Sequence, residues 1–152
     1  MSSAPPPVRA FRTVLLLAQT LRYLMDDRLR ADGLTTQQAA LLTVVAGLGR
    51  PSLGEAAAAL GTTHQNAAQL VAALQRKGLL RAEPDPADKR RLRLITTAAN
   101  EDYWRQRDEA DFEAVAGWFA VLSHDEVESL CTLASRVLDG LDAHRQAARL
   151  RR

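Results

Sequence analysis

One cysteine, Cys131, is all the chain has, so no internal disulfide can form and stability must come from a packed core. Aromatic residues make up only 5%, and apolar runs are short: Val14 to Ala18 falls far below the ~20 residues that a membrane-spanning helix needs. Met1 to Pro7 lacks the basic start of a secretory signal. These absences point to a cytoplasmic protein with no membrane partner. Also missing are a phosphate-cradling glycine loop, a nucleophile elbow and a suggestive cysteine–histidine arrangement, so an enzyme is not expected. His64 has no metal-ligating neighbour at coordinating spacing, and His124, Cys131 and His144 stand at long intervals, so neither metal nor cofactor is expected. What is present is ordinary globular material: 47% hydrophobic and 25% charged residues across 152 positions, enough for one domain-sized core.

The net charge of +2 conceals a division along the chain. From Arg50 to Thr97 eight bases face four acids, an excess of four positive charges, whereas from Ala98 to Ala143 eleven acids face three bases, an excess of eight negative charges. A basic middle beside an acidic later segment suits a protein that meets a polyanion with one surface.

Residues 1–7, with Pro5, Pro6 and Pro7, read as an extended or disordered lead, and order is expected from about Val8. From there to about Arg30, apolar residues recur at three- and four-residue steps, the pattern of a long amphipathic helix that Asp32-Gly33 stops. A hydroxyl residue followed three places later by Glu or Gln predicts four further helix starts: Thr35 with Gln38, Ser52 with Glu55, Thr62 with Gln65, and Ser123 with Glu126. Alternation then predicts two strands, Leu79 to Arg81 and Arg91 to Thr96. The Pro- and Asp-rich connection between them should be unable to pair, with Leu92 and Leu94 facing inward and Arg91 and Arg93 outward. Helices from about Ala98 to Leu122 and from Ser123 toward Arg149 carry too many apolar residues to stay uncovered. The expected fold class is mainly α with a small β-hairpin wing. Residues 35–97 would form a winged helix-turn-helix, and residues 8–34 and 98–152 a helical dimerisation region of a homodimer.

The Gly61-Thr62-Thr63 link is the tight joint of a helix-turn-helix, and the first turns of the second helix present Thr62, Thr63, His64, Gln65, Asn66 and Gln69. Amides and hydroxyls of this kind discriminate base edges in a major groove, although Thr62 and Gln65 also have a local capping role. The wing bases Lys89, Arg90, Arg91 and Arg93 suit phosphates and narrow minor grooves, and Asp88 is expected to hold the Arg90 guanidinium by a bidentate pair. Double-stranded DNA is therefore the expected partner. The competing assignment is a winged-helix protein-interaction module without specific DNA binding, which would lack steep salt dependence.

With those residues in hand, the chain resembles the MarR family of transcriptional regulators from about Val8 to Leu141. The resemblance rests on the Leu60-Gly61-Thr62-Thr63 joint, the Gln69 to Leu80 run, the Asp85-Pro86-Ala87-Asp88-Lys89-Arg90 wing with its Asp-x-Arg signature, and Thr97 opening the next helix. It implies an obligate homodimer on a pseudo-palindromic operator, commonly as a repressor, released in many relatives by a small aromatic or phenolic effector. Tyr23, Tyr103, Trp104 and Trp118 are then candidates either for an effector crevice or for dimer-core packing. Ala82 and Glu83 stand where relatives often carry bases, and Asn100 where glycine is frequent, so the first two receive no DNA role. Cys131, beside Leu130, Leu133 and Ala134, reads as a packed core cysteine.

Overall fold

A computed structural model describes residues 4–150, with side chains described as far as residue 147. The order is α1 (Pro6–Leu29), a single 3-10 turn (Arg30–Asp32), α2 (Thr36–Leu48), α3 (Leu53–Leu60), α4 (His64–Arg76), β1 (Leu80–Pro84), β2 (Leu92–Thr96), α5 (Ala98–Trp118) and α6 (His124–Leu150). The protein is mainly helical with one two-stranded hairpin. It divides into two compact units, one through Tyr103 and one from Trp104 onward. Among the described residues, no helix is long and apolar enough to cross a membrane.

Helix α1 starts two residues before the expected Val8, with Pro5 as its cap. Proline is tolerated there because the first N–H groups of a helix have no internal acceptor, and the Pro5 carbonyl still accepts from Val8 at 3.0 Å and Arg9 at 3.1 Å. The rest of the proposed disordered lead, residues 1–3, lies outside the described residues. Local chemistry sets the other boundaries. Thr35 with Gln38 and Ser52 with Glu55 form full capping boxes at α2 and α3, and Ser123 with Glu126 makes the same reciprocal bonds at α6. Gly61 closes α3 at φ +68°, a left-handed conformation that glycine adopts without steric cost.

The core of the first unit is built by Leu41, Leu42 and Val45 of α2, Ala56 and Ala57 of α3, Ala67, Leu70, Val71 and Leu74 of α4, and Leu80 and Leu94 of the hairpin. Leu29 and Leu34 close it from the α1 side. Around Gly33, α1 is tied down by polar bonds: the Thr36 N–H donates to Asp26 at 2.6 Å, and Lys77 Nζ donates to the Gly33 carbonyl at 2.6 Å. Burial works against ionisation of Asp26. The Thr36 N–H and hydroxyl, with Arg22 and Arg30 nearby, outweigh it and hold the carboxyl below its ordinary pKa.

The second unit is different in kind: no buried apolar residue lies beyond Leu94 among those described. Phe112 is 72% exposed and Val121 89%, and Leu133, Val137, Leu138 and Leu141 are likewise exposed on α6. Cys131 is also exposed, which corrects the packed position expected for it.

Candidate nucleic-acid interface

Helix α4 is amphipathic with a clean division. Ala67, Leu70, Val71 and Leu74 are buried, while His64, Gln65, Gln69 and Arg76 are exposed. Gln65, Gln69 and Arg76 are spaced by four and seven residues, so they share one face that runs about 16 Å along the helix. Ala68 and Ala72 lie between them and keep that face shallow. Arg76 was not singled out from the sequence, where it reads as a C-terminal dipole partner; its seven-residue interval from Gln69 is the signal that places it here.

The cap of this helix falls one residue later than expected. Thr63, not Thr62, accepts the Asn66 N–H at 3.1 Å, while the Thr62 N–H donates to the Ala57 carbonyl in closing α3. Thr62 instead receives the Asn66 side-chain amide at 2.8 Å, and both residues are half-buried. The Asn66 amide is therefore partly committed inside the protein, which leaves Gln65 and Gln69 as the freer amides on this helix.

In the hairpin, β1 and β2 pair antiparallel from Leu80 opposite Thr96 to Pro84 opposite Leu92. Pairing reaches Pro84, further than its proline content suggested. Ser52 bridges Arg93 on the far side of β2, so β1 is the edge strand, where a missing N–H is tolerated. Leu94 is 2% exposed as expected, but Leu92 on the same face is 55% exposed because the wing has by then left the body of the lobe.

The wing tip is shaped by Asp88. Its Oδ1 accepts the Arg90 N–H at 3.0 Å and its carbonyl accepts the Arg91 N–H at 2.9 Å, an Asx turn over a tight reverse turn. This corrects the expected bidentate pair with the Arg90 guanidinium: so short a side chain two residues away satisfies the backbone first. Arg93 also departs from expectation. It is half-buried, and its guanidinium turns inward to Asp85 at 2.8 Å and Glu55 at 3.3 Å. The Ala87 N–H, with the Arg93 guanidinium next and Arg91 nearby, overrides the cost of burial and holds the Asp85 carboxyl below its ordinary pKa.

Pairing sorts the charges in space. Glu83 holds Arg50 at 2.6 Å and Arg81 at 3.1 Å, while Asp85 and Glu55 hold Arg93. Arg76, Lys89, Arg90 and Arg91 are exposed and make no ion pair within 4 Å among the described residues, although Arg91 lies near enough to Asp85 to help hold its charge. Positive charge outside any ion pair is thus concentrated at the wing tip and at the end of α4, and the amide-bearing face of α4 carries no acid.

The candidate crevice aromatics are divided between the two units. Tyr23 is 66% exposed on α1, and the Tyr103 hydroxyl donates to Asp32 at 3.0 Å, both within the first unit, whereas Trp104 and Trp118 belong to the second. The second unit contains an apolar groove of about 440 Å³ at the turn from α5 to α6, lined by Phe112, Phe119, Leu122 and Val127 among others and by none of those four.

A helix-turn-helix with an exposed amide-bearing second helix and a cationic hairpin beside it defines a winged helix-turn-helix protein. Residues 32–91 match the family model described as MarR family. No curated protein sequence matches the chain. Among solved structures, the MarR protein from Peptoclostridium difficile superposes with a TM-score of 0.83 at 17% identity, covering 95% of this chain and 94% of that one. The PcaV transcriptional regulator from Streptomyces coelicolor, solved in complex with its natural ligand, superposes at 0.76 with 23% identity, covering 91% and 98%. The S. aureus MepR–DNA complex superposes at 0.73 with 21% identity, covering 86% and 96%. These likenesses establish a common fold.

Proposed function

We propose that the chain is a sequence-specific double-stranded DNA-binding transcriptional regulator that acts as a homodimer on a pseudo-palindromic operator, as a repressor. The observation that carries this is the sorting of charge and amides. Arg76, Lys89, Arg90 and Arg91 stand exposed outside any ion pair around a helix face bearing Gln65 and Gln69, while nearby acids are consumed by Arg50, Arg81 and Arg93. Phosphate neutralisation supplies affinity and amide contacts to base edges supply specificity. His64, Thr63 and Asn66 at the start of α4 are placed to add contacts to bases or to the backbone. That the MepR fold was solved on DNA supports the same use of this fold.

The proposal extends to a small aromatic effector that releases the DNA. PcaV was solved with its natural ligand, and Tyr23, Tyr103, Trp104 and Trp118 are the rings offered to such a compound. Selection of bound duplexes from a random library at fixed salt tests the core of the reading. A two-fold symmetric site with half-sites about 34 to 36 Å apart is expected. Recovery of random sequence, or binding indifferent to salt, would contradict it.

A further inference from the structure

Arg93 lies among the wing cations in sequence, yet its guanidinium is held by groups from three places. Nε donates to Asp85 Oδ2 at 2.8 Å at the entry to the wing loop. Nη1 donates to Glu55 Oε2 at 3.3 Å in the first turn of α3, and to the Arg50 carbonyl at 3.4 Å in the link between α2 and α3. Backbone bonds follow the same route, for the Leu94 N–H donates to the Pro51 carbonyl at 2.8 Å and Ser52 bridges Arg93. Glu55 is itself fixed, since the oxygen that takes Arg93 also accepts the Ser52 N–H at 2.9 Å. The side chains of Arg93 and Asp85 are only 26% and 9% exposed, so water and salt screen this pair less than they screen the ion pairs on the surface. An arginine neutralised by two carboxylates is a poor phosphate ligand. It is well suited to fastening one element to another.

Resting on the DNA-binding reading above, we propose that Arg93, Asp85 and Glu55 form a clamp that fixes the angle of the wing against α3. Because α3 and α4 are joined by a tight turn, the clamp also sets the spacing between the wing tip and the base-reading face of α4. Arg93 is thus a positioning residue for DNA recognition and not a contact to DNA. Without the clamp the wing must become ordered at the moment of binding, and a site that engages both elements bears that cost. Non-specific binding needs charge alone and escapes it.

Asp85→Asn gives the proposal a sign that simple electrostatics reverses. Removing a negative charge from the lobe should strengthen binding to any duplex if charge were all that mattered, whereas loss of the clamp weakens binding to the specific site. The test compares wild type, Asp85→Asn, Arg93→Gln and Arg90→Ala on the duplex that wild type selects from a random library and on a scrambled duplex, over a salt series. Amide exchange of the full chain without DNA is followed in parallel. Asp85→Asn and Arg93→Gln are expected to lose roughly tenfold on the selected duplex, the scale of ordering a short loop and its side chains, with little loss on the scrambled one. Arg93→Gln keeps the wild-type salt slope, while Arg90→Ala reduces its magnitude by about 0.9, one phosphate's worth. Amides of residues 85–94 exchange faster in both clamp variants while α2 and α4 keep their protection.

A slope loss in Arg93→Gln equal to that of Arg90→Ala would put Arg93 on a phosphate and overturn the proposal. Tighter binding of the selected duplex by Asp85→Asn, wing exchange unchanged in that variant, or protection lost throughout the lobe would overturn it too. If wild type bound no duplex at any salt, the DNA-binding reading would fail, and the exchange data would still decide whether the clamp holds the wing.

Discussion

Each of the four carboxylates between Arg50 and Thr97 has a job inside the lobe. Glu55 and Asp85 hold Arg93, Glu83 holds Arg50 and Arg81, and Asp88 turns the wing tip. That division assigns different consequences to residues of the same type. Arg90→Ala is expected to weaken binding to specific and scrambled duplexes alike, read as a salt slope shallower by about 0.9. Gln69→Ala should instead relax discrimination at particular base pairs by about 1 to 3 kcal/mol while sparing the scrambled duplex, and equal loss on both would contradict base reading. Asn66→Ala should show a smaller loss of preference than Gln69→Ala, because Asn66 already gives its amide to Thr62. Acid stability follows from Asp26, Asp85 and Glu126, whose carboxyls all sit below their ordinary values of 3.8, 3.8 and 4.5. A depressed carboxylate contributes stability that is present above its ordinary pKa and lost as pH falls through the lower folded value. Thermal melts should therefore hold their midpoint down to about pH 5 and fall below about pH 4, with a shallower acid fall in Asp85→Asn.

Elements were legible in the sequence where their determinants are local. The capping boxes of α2, α3 and α6 lie within four residues of chain, the glycine that ends α3 is as local, and the buried positions of α4 follow its helical period from Ala67 to Leu74. Motif and periodicity also placed the helix-turn-helix joint and the hairpin, and with them the exposed amides of α4 and the exposed bases Lys89, Arg90 and Arg91. What escaped depends on tertiary partners. Period-2 alternation cannot tell that Arg93 meets Glu55 thirty-eight residues earlier, nor that Leu92 has passed the edge of the lobe. With two hydroxyls in a row, Thr62 and Thr63, the cap fell on the second, since Gly61 and Thr62 still close α3 through their N–H groups on the Ala58 and Ala57 carbonyls. Two substitutions weigh these contributions in α4, the helix proposed to read bases. Thr63→Ala should cost about 0.5 to 2 kcal/mol in denaturant unfolding through the lost cap, and Leu74→Ala, at a position with 0% exposure, about 2 to 5 kcal/mol through the cavity it leaves. Should both cost the same few tenths, α4 would not be held by its buried face.

Across the whole molecule, the uneven distribution of buried apolar residues argues for a second chain. The buried apolar residues, from Leu29 to Leu94, pack around α2, α3 and α4, whereas α5 beyond Tyr103 and all of α6 contribute none among those described. Helix α1 adds to the imbalance with Phe11, Val14 and Leu16 each more than 60% exposed. Long helices with apolar faces of this extent do not persist uncovered in water, since each buried side chain of this size is worth roughly 1.5 to 3 kcal/mol. The homodimer proposed above supplies the missing cover and also the two lobes that a symmetric operator requires. Solution mass at micromolar concentration should therefore be that of a dimer. Leu138→Asp, which places a carboxylate on the exposed face of α6, should move the mass toward the monomer and lower helicity. The same variant should lose affinity for the full operator far more than for a single half-site, because only the paired arrangement gains from engaging both halves. A wild-type monomer at that concentration, or a Leu138→Asp dimer with unaltered operator affinity, would show that these helices are covered by something other than a second copy.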